Sequence, residues 1–367
     1  MLADDLGWLD VGFHGSKINT PTIDSLAKEG VILDNYYVQP LCTPARGALM
    51  TGRYPIHTGL QHDVIHPTNP FGLPLDFQTL PERLKKAGYA THLVGKWHLG
   101  FYKWPYVPTN RGFDSAFGYL DGAEDHYDHK VSNVVDFRNG TEPVLDLNGK
   151  YATFEFVKRI EEILDQHDPK QPLFLYMAFQ NVHNPIQAPD QLWENTCTVF
   201  STDNGGEPVF GGYNWPLRGT KHTLWEGGVR GAAFVHGKML EKTGVKCEEL
   251  LHISDFFPTL INLADGSFDA KHPIPIDGFD VWNTLSRGEA SPRTEILLNI
   301  NSPPPGTSSS RVNRPGMALR KGSMKLLMNV KNITWFKPPE LRGVPADVLV
   351  SRGFLKDETD EEILEQC

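Results

Sequence analysis

The run Pro172-Leu173-Phe174-Leu175-Tyr176-Met177-Ala178-Phe179 constrains the fold more than any other stretch. It is apolar throughout, without the alternation of a strand that faces water on one side. Such a run suits a strand buried on both faces, the environment of a parallel sheet covered by helices. It stops at Gln180-Asn181-Val182-His183-Asn184-Pro185. The same punctuation recurs elsewhere. Thr198-Val199-Phe200 gives way to Ser201-Thr202-Asp203-Asn204-Gly205-Gly206, and Tyr89 to Val94 gives way to Gly95-Lys96-Trp97-His98-Leu99-Gly100. Met1-Leu2-Ala3 reads as a strand end running into Asp4-Asp5-Leu6-Gly7.

Helical segments fall between these runs. Thr20-Pro21 opens a helix that stops at Gly30, and Val31 to Val38 follows as a strand. Leu80 to Ala87 is a helix closed by Gly88. Phe154, Phe156, Ile160, Ile163 and Leu164 recur at helical spacing and predict a helix over Thr153 to His167 with these side chains in the core. Ala232 to Val235 reads as a strand, Ser254 as the cap of a helix to about Asp265, Val281 to Leu285 as a short helix and Glu295 to Ile300 as a strand. The alternation predicts an α/β fold with a mostly parallel, mixed central sheet and helices on both faces. Residues 1–301 form this catalytic-type domain. Ser302 to Pro315 is Pro/Ser-rich and predicts a linker. Residues 316–367 then form a small, partial antiparallel α+β subdomain, with a hairpin from Met317-Ala318-Leu319-Arg320 to Met324–Met328 and an acidic tail from Asp357 to Glu365.

In such folds ligands bind outside the carboxyl ends of the strands. The polar groups that follow the apolar runs lie there: Asp4 and Asp5, Lys96 and His98, His183, Asp203 and Asn204. Each pair alone also reads as an ordinary polar loop. Their common placement is what argues for one shared site. Asp4, Asp5, Asp203 and Asn204 offer oxygen ligands with three negative charges, which suits a hard cation such as Ca²⁺ or Mg²⁺ and not Zn²⁺. Lys96, His98, His183, Lys221 and Arg46 are cationic or can become so, and would clamp a tetrahedral anion. Lys96 and His98 are two apart, so an extended segment points both to one side.

The stretch Leu41-Cys42-Thr43-Pro44-Ala45-Arg46-Gly47-Ala48-Leu49-Met50-Thr51-Gly52-Arg53 sets a cysteine near an arginine, which alone also reads as a buried helix-start cysteine with a surface arginine. Pro44 suits the first position of a helix and Gly52 its C-cap. Cys42 then sits at the helix mouth, where backbone N–H groups attract anions and lower a thiol's pKa. Arg46 follows one turn on.

Cys42-Thr43-Pro44-Ala45-Arg46 resembles the sulfatase signature Cys-x-Pro-x-Arg, here continued by Ala48-Leu49-Met50-Thr51-Gly52. The resemblance extends over nearly the whole chain and is closest to the arylsulfatase B group of the alkaline phosphatase superfamily. Its hallmarks stand as Gly59-Leu60-Gln61-His62, Gly95-Lys96-Trp97-His98-Leu99-Gly100, Ser201-Thr202-Asp203-Asn204-Gly205-Gly206, Asn214-Trp215-Pro216-Leu217-Arg218-Gly219 and Leu224-Trp225-Glu226-Gly227-Gly228-Val229-Arg230-Gly231. It implies that Cys42 is oxidised to formylglycine by the formylglycine-generating enzyme. The hydrated aldehyde would be the nucleophile toward sulfur. One Ca²⁺ would be held by Asp4, Asp5, Asp203, Asn204 and the modified Cys42. Arg46, Lys96, His98, His183 and Lys221 would bind sulfate and stabilise charge. The substrate would be an aryl sulfate or a glycosaminoglycan sugar sulfate, and the setting lysosomal or secreted. Thr or Ser would be expected in a phosphatase of the same superfamily.

The chain departs from the family pattern at three places. No signal peptide or strand precedes Ala3, the connection from His183 to Thr198 is short, and the C-terminal subdomain ends soon after its hairpin. This predicts a partial chain. The alternative function is a non-catalytic sulfatase-like protein that at most binds Ca²⁺ and sulfated glycans.

The remaining bounds are broad. With 367 residues and 40% apolar content, the chain can bury a sizeable core. A net charge of −10 argues against a nucleic-acid partner. No apolar run approaches a transmembrane span. Cys42, Cys197, Cys247 and Cys367 do not form a recognisable disulfide framework. Two N-glycosylation sequons, Asn139-Gly140-Thr141 and Asn332-Ile333-Thr334, agree with a secreted glycoprotein.

Overall fold

A computed structural model describes residues 1–185, 187, 199–264, 266, 273–301, 316–330, 333, 335 and 336. Cys197, Thr198, the linker over 302–315, Asn332 and Thr334 of the second sequon, Cys367 and the acidic tail lie outside the described residues. The chain divides into two units. One comprises Met1–Asp4, Cys42–Glu194 and Ile253–Trp282; the other comprises Asp5–Leu41, Asn195–His252 and Asn283–Cys367.

In the first unit, Leu2–Ala3, Leu173–Ala178, Ala90–Lys96 and Ser115–Tyr119 are neighbours in that order and run parallel. Phe137–Asn139 and Glu142–Pro143 extend them antiparallel. The register pairs Leu2 with Ala178, Ala178 with Gly95, and Gly95 with Gly118. The carboxyl ends of the parallel strands therefore align, and Asp4, Lys96 and Tyr119 come to one edge.

Side-chain alternation sorts the two faces. Leu93, Tyr176 and Ala178 pack on one side with Met50, Leu80, Leu84, Phe257 and Ile261, from the helices Cys42–Thr51, Leu80–Lys86 and Phe256–Leu263. Val94 and Met177 pack on the other side with Phe156, Ile160 and Ile163 of the helix Ala152–Gln166. Each such buried side chain stabilises by about 1.5–3 kcal/mol relative to exposure. The expectation of helices on both faces holds in this unit. Phe154 and Leu164, expected in the core, are 36% and 43% exposed. Phe154 lies off the stripe of Phe156, Ile160 and Ile163, about 200° around the helix from Phe156, whereas Leu164 sits at the edge of that stripe in the last turn of Ala152–Gln166.

In the second unit, Val199–Thr202, Ala233–Val235, Val31–Leu33 and Val245–Cys247 are neighbours in that order. The first two pairings are antiparallel and the last is parallel, so the arrangement is mixed. The single strand expected over Val31 to Val38 is broken. Asp34 and Asn35 form a turn, and Tyr36–Tyr37 pairs separately with Leu251–His252. Glu295–Asn301, Gly316–Lys321 and Met324–Met328 form an antiparallel sheet in which the expected hairpin takes a third strand from before the linker. Among the described residues no helix is long and apolar enough to cross a membrane.

Candidate active site

In the first unit the groups converge on Asp4. Its N–H donates to the Asn181 carbonyl at 2.9 Å, and its carbonyl accepts from the Val182 N–H at 2.7 Å. The strand-end backbone is thus clamped to the segment that leads to His183. The Asp4 carboxylate is fully buried and takes Lys96 Nζ at 2.6 Å, Arg46 Nη2 at 3.5 Å and Cys42 Sγ at 3.5 Å. Two buried cations offset the cost of burying one carboxylate. Arg46 Nη1 also donates to the Lys96 carbonyl at 3.5 Å, which ties the helix to the strand end.

Cys42 is the first residue of the helix Cys42–Thr51, so the helix begins ahead of the expected Pro44 start. Pro44 remains within the first turn, where a missing N–H removes no intrahelical bond. Gly52 ends the helix at φ +67, as expected, and its N–H donates to Ala48 O at 2.8 Å. A Cβ there would lie 2.8 Å from the Phe257 ring, so both conformation and space require glycine. Cys42 and Cys247 are not disulfide-bonded.

His98 departs from the extended geometry expected of it. Its φ is +56, and its ring lies against Gly122, where a Cβ would meet the imidazole at 2.6 Å. Nε2 donates to Ile65 O at 3.1 Å, which leaves the buried Nδ1 as an acceptor with no partner among the described residues. Burial, with Lys96 and Arg46 nearby, holds the imidazole well below its ordinary pKa, so it is neutral. His183 is half-buried with Nδ1 at 2.7 Å from Asn184 O. Asp4, Cys42 and His183 offer ligand atoms within 4.8 Å of one another.

Three residues of this unit escaped the sequence reading. Tyr119 pairs in register with Lys96, and its buried hydroxyl has no partner among the described residues. Burial and the Asp4 charge push that phenol well above its usual pKa. Glu124 is buried, with a carboxylate oxygen 3.5 Å from His129 Nδ1, and its carbonyl accepts from Gln180 Nε2. His126 stacks on Tyr151 at 5.3 Å between ring centroids. All three lie between Tyr102 and Asp128, a stretch rich in Tyr, Gly and Asp, and no motif or spacing there singles them out.

In the second unit the groups converge on Asp5. Its φ is +60, its N–H donates to Asp203 Oδ1 at 3.2 Å, and Asn204 Nδ2 donates to its Oδ1 at 2.8 Å. Lys221 Nζ lies 2.5 Å from the Asp5 carboxylate. The Lys221 N–H donates to Gly206 O at 3.2 Å, and Asn214 closes the turn by accepting from Gly206 N–H at 2.7 Å. The strand Val199–Thr202 delivers Asp203 and Asn204 directly from its end. Asn204 is fully buried, and its Oδ1 has no partner among the described residues although Nδ2 is doubly used. An orphan buried oxygen beside two carboxylates fits a hard cation.

The sequence-predicted residues therefore form two groups: Asp4, Cys42, Arg46, Lys96, His98 and His183 in one unit, and Asp5, Asp203, Asn204 and Lys221 in the other. A sulfatase family model matches residues 1–202. The chain belongs to the sulfatase family. Arylsulfatase J of Mus musculus is 47% identical over 345 residues, covering 82% of this chain and 57% of that protein. N-acetylgalactosamine-6-sulfatase of Rattus norvegicus is 32% identical, covering 82% of this chain and 68% of that protein. The chain thus spans little more than half of its arylsulfatase J relative. The crystal structure of Ps i-CgsB in complex with k-i-k-neocarrahexaose superposes with a TM-score of 0.78 at 26% identity, over 96% of this chain and 88% of that one. The mixed α/β architecture is that of this sulfatase-family fold.

Proposed function

We propose that this chain hydrolyses sulfate esters of an aryl or glycosaminoglycan sugar substrate, with formylglycine made from Cys42 and one Ca²⁺. The observation that carries this is the position of Cys42 as first residue of its helix, 3.5 Å from a carboxylate that also holds Lys96 and Arg46. Asp4, Asp5, Asp203, Asn204 and the modified Cys42 would hold the cation. The three carboxylates and the orphan Asn204 Oδ1 support this set. Ca²⁺ would supply Lewis-acid polarisation of sulfate oxygens, and the formylglycine hydrate an oxygen nucleophile.

The chain's own residues do the rest. Arg46 and Lys96 bring positive charge to the sulfate, and Lys221 does so from the Asp5 side. Such donors stabilise charge that grows in the transition state. A histidine or lysine of this set would protonate the leaving alcohol, and the partial exposure of His183 supports it as that donor. His98, neutral with Nδ1 as acceptor, orients a substrate hydroxyl or the hydrate. An N-acetylgalactosamine-type sulfate is the favoured substrate, since a relative named for that sugar is 32% identical and covers 82% of this chain. Modification of Cys42 requires the formylglycine-generating enzyme and so the secretory route to lysosome or exterior. The exposed Asn139 in its sequon agrees with glycosylation there.

The test is co-expression with the formylglycine-generating enzyme, mass spectrometry of the Cys42 peptide, and a chromogenic aryl sulfate assay with Ca²⁺. Turnover that disappears in Cys42→Ala supports the reading. A fully modified, Ca²⁺-loaded chain that releases no sulfate leaves the non-catalytic alternative in its place.

A further inference from the structure

The segment directly after His98 carries an exposed aromatic and basic surface that the chemistry above does not use. Tyr102, Lys103, Trp104 and Pro105 are all exposed, and Trp104 is 59% exposed. The Tyr102 and Tyr106 rings pack at 4.8 Å between centroids, with their hydroxyls 3.2 Å apart. Lys103 Nζ lies 5.3 Å from the Tyr102 ring centre. Phe71, 46% exposed, precedes Gly72, whose missing Cβ would stand 2.5 Å from the Tyr106 ring. Exposed aromatic side chains gathered in this way mark interaction surfaces.

This surface is not a loose loop tip. Trp97, buried between the site residues Lys96 and His98, donates its indole N–H to Gly100 O at 3.2 Å and Tyr106 O at 3.0 Å. Asn110 Nδ2 donates to Trp104 O at 2.8 Å, and Pro105 stiffens the turn Trp104–Tyr106. The backbone that carries these aromatic side chains is therefore held in place, which lowers the entropic cost of binding. Trp104 is six positions after His98, a span of at most about 22 Å. A short oligosaccharide whose sulfated unit occupies the catalytic groups can reach it.

We propose that Tyr102, Lys103, Trp104 and Tyr106 form a distal subsite that binds an unreacted sugar unit of a sulfated oligosaccharide. The occupant follows from chemistry. A pyranose presents an apolar C–H face to the electron-rich face of Trp104, and its hydroxyls suit the tyrosine edges. Lys103 supplies the charge that a sulfated or uronic sugar requires. This inference rests on the sulfate-ester reading, and it predicts that the chain prefers oligosaccharides over monosaccharide sulfates.

The experiment compares wild type, Trp104→Ala, Trp104→Phe and Lys103→Ala on two substrates: a chromogenic aryl sulfate and a hexasaccharide bearing N-acetylgalactosamine 6-sulfate. Trp104→Ala is expected to raise KM for the hexasaccharide about tenfold and leave the aryl sulfate unchanged, with Trp104→Phe recovering most of the loss. Lys103→Ala is expected to weaken the sulfated hexasaccharide more than its desulfated form. A second arm reads binding alone, by isothermal titration calorimetry with the same hexasaccharides. If wild type turns over neither substrate, the sulfate-ester reading fails, while loss of calorimetric binding in Trp104→Ala still supports the subsite. Equal behaviour of wild type and Trp104→Ala in both arms, or an equal loss on both substrates, overturns it.

Discussion

Lys96 Nζ lies 2.6 Å from Asp4 Oδ2, and neither side chain has any solvent exposure. A buried ion pair of this kind adds little net stability, because desolvation consumes the Coulombic gain. Its value here is placement: it stores an ammonium beside Cys42 and Arg46. Lys96→Ala is expected to lower kcat by about 10²–10³ through loss of one charge-stabilising donor. The same change leaves Asp4 with fewer cations and is expected to cost about 3–5 kcal/mol of stability. Kinetics with the aryl sulfate, alongside a thermal melt, separates the two effects. Unchanged turnover in a folded Lys96→Ala protein removes Lys96 from the site.

Metal binding is readable without activity. Asn204 keeps a buried Oδ1 with no partner among the described residues, next to Asp5 and Asp203. Adding Ca²⁺ to chelator-treated protein is therefore expected to raise Tm, with a stabilisation of about 2.7 kcal/mol at a hundredfold excess over Kd. Asp203→Ala should abolish the shift. Asn204→Asp, which keeps the oxygen, should preserve it. A Ca²⁺-dependent shift that survives Asp203→Ala would point to another site.

Glu226 anchors the second unit's hairpin. Its carboxylate accepts from Tyr37 Oη and Lys325 Nζ, each at 2.7 Å, with Arg320 Nη1 at 3.6 Å. These cations, Lys325 foremost, outweigh the opposing effect of burial and hold the Glu226 carboxyl down at about 2. A depressed folded pKa stabilises above the unfolded value near 4.5, and that stability is lost as pH falls toward 2. Glu226→Gln is expected to remove on the order of 2–3 kcal/mol at neutral pH and to flatten the acid limb of the melting curve between pH 4.5 and 2. Urea unfolding at pH 7 and pH 3 checks both effects.

Much of this was legible in the sequence, and for definite reasons. Pro172 to Phe179 revealed its strand because both faces are buried, and Asp203 and Asn204 were legible because they follow Phe200 within a few residues. The Cys42 motif carried its own helix signals, and Gly52 behaves as a C-cap must. Three features were not legible. The Val31 to Val38 run looks continuous by composition, yet Asp34 and Asn35 turn the chain because its two halves pair with different partners. The left-handed φ of His98, whose ring packs against Gly122, is announced by no local pattern. Tyr119 and Glu124 acquire their roles from register and burial, and neither is visible in spacing along the chain.

Glu124 gives the last prediction. It is 2% exposed, and burial raises its carboxyl from 4.5 to about 7, although His129 pulls the other way. His129 is itself raised through Glu124, its ionic partner at 3.5 Å, against the opposing effect of burial. A carboxyl with a raised folded pKa binds more protons folded than unfolded between 4.5 and 7. Its stabilising effect is therefore full below 4.5 and is lost as pH rises through 7. Asp136, raised to about 6 by burial, acts in the same direction, whereas His98 and His252, held low, oppose it below their ordinary values. Glu124 also accepts from Gln180 through its carbonyl, so its loop is tied to the segment bearing His183. Glu124→Gln, permanently neutral, is expected to shrink the loss of stability between pH 5 and pH 8 to the part that Asp136 carries, with wild type losing on the order of 2 kcal/mol over that range. Thermal melts of both proteins across this window decide it: parallel curves would show that Glu124 does not carry the pH dependence.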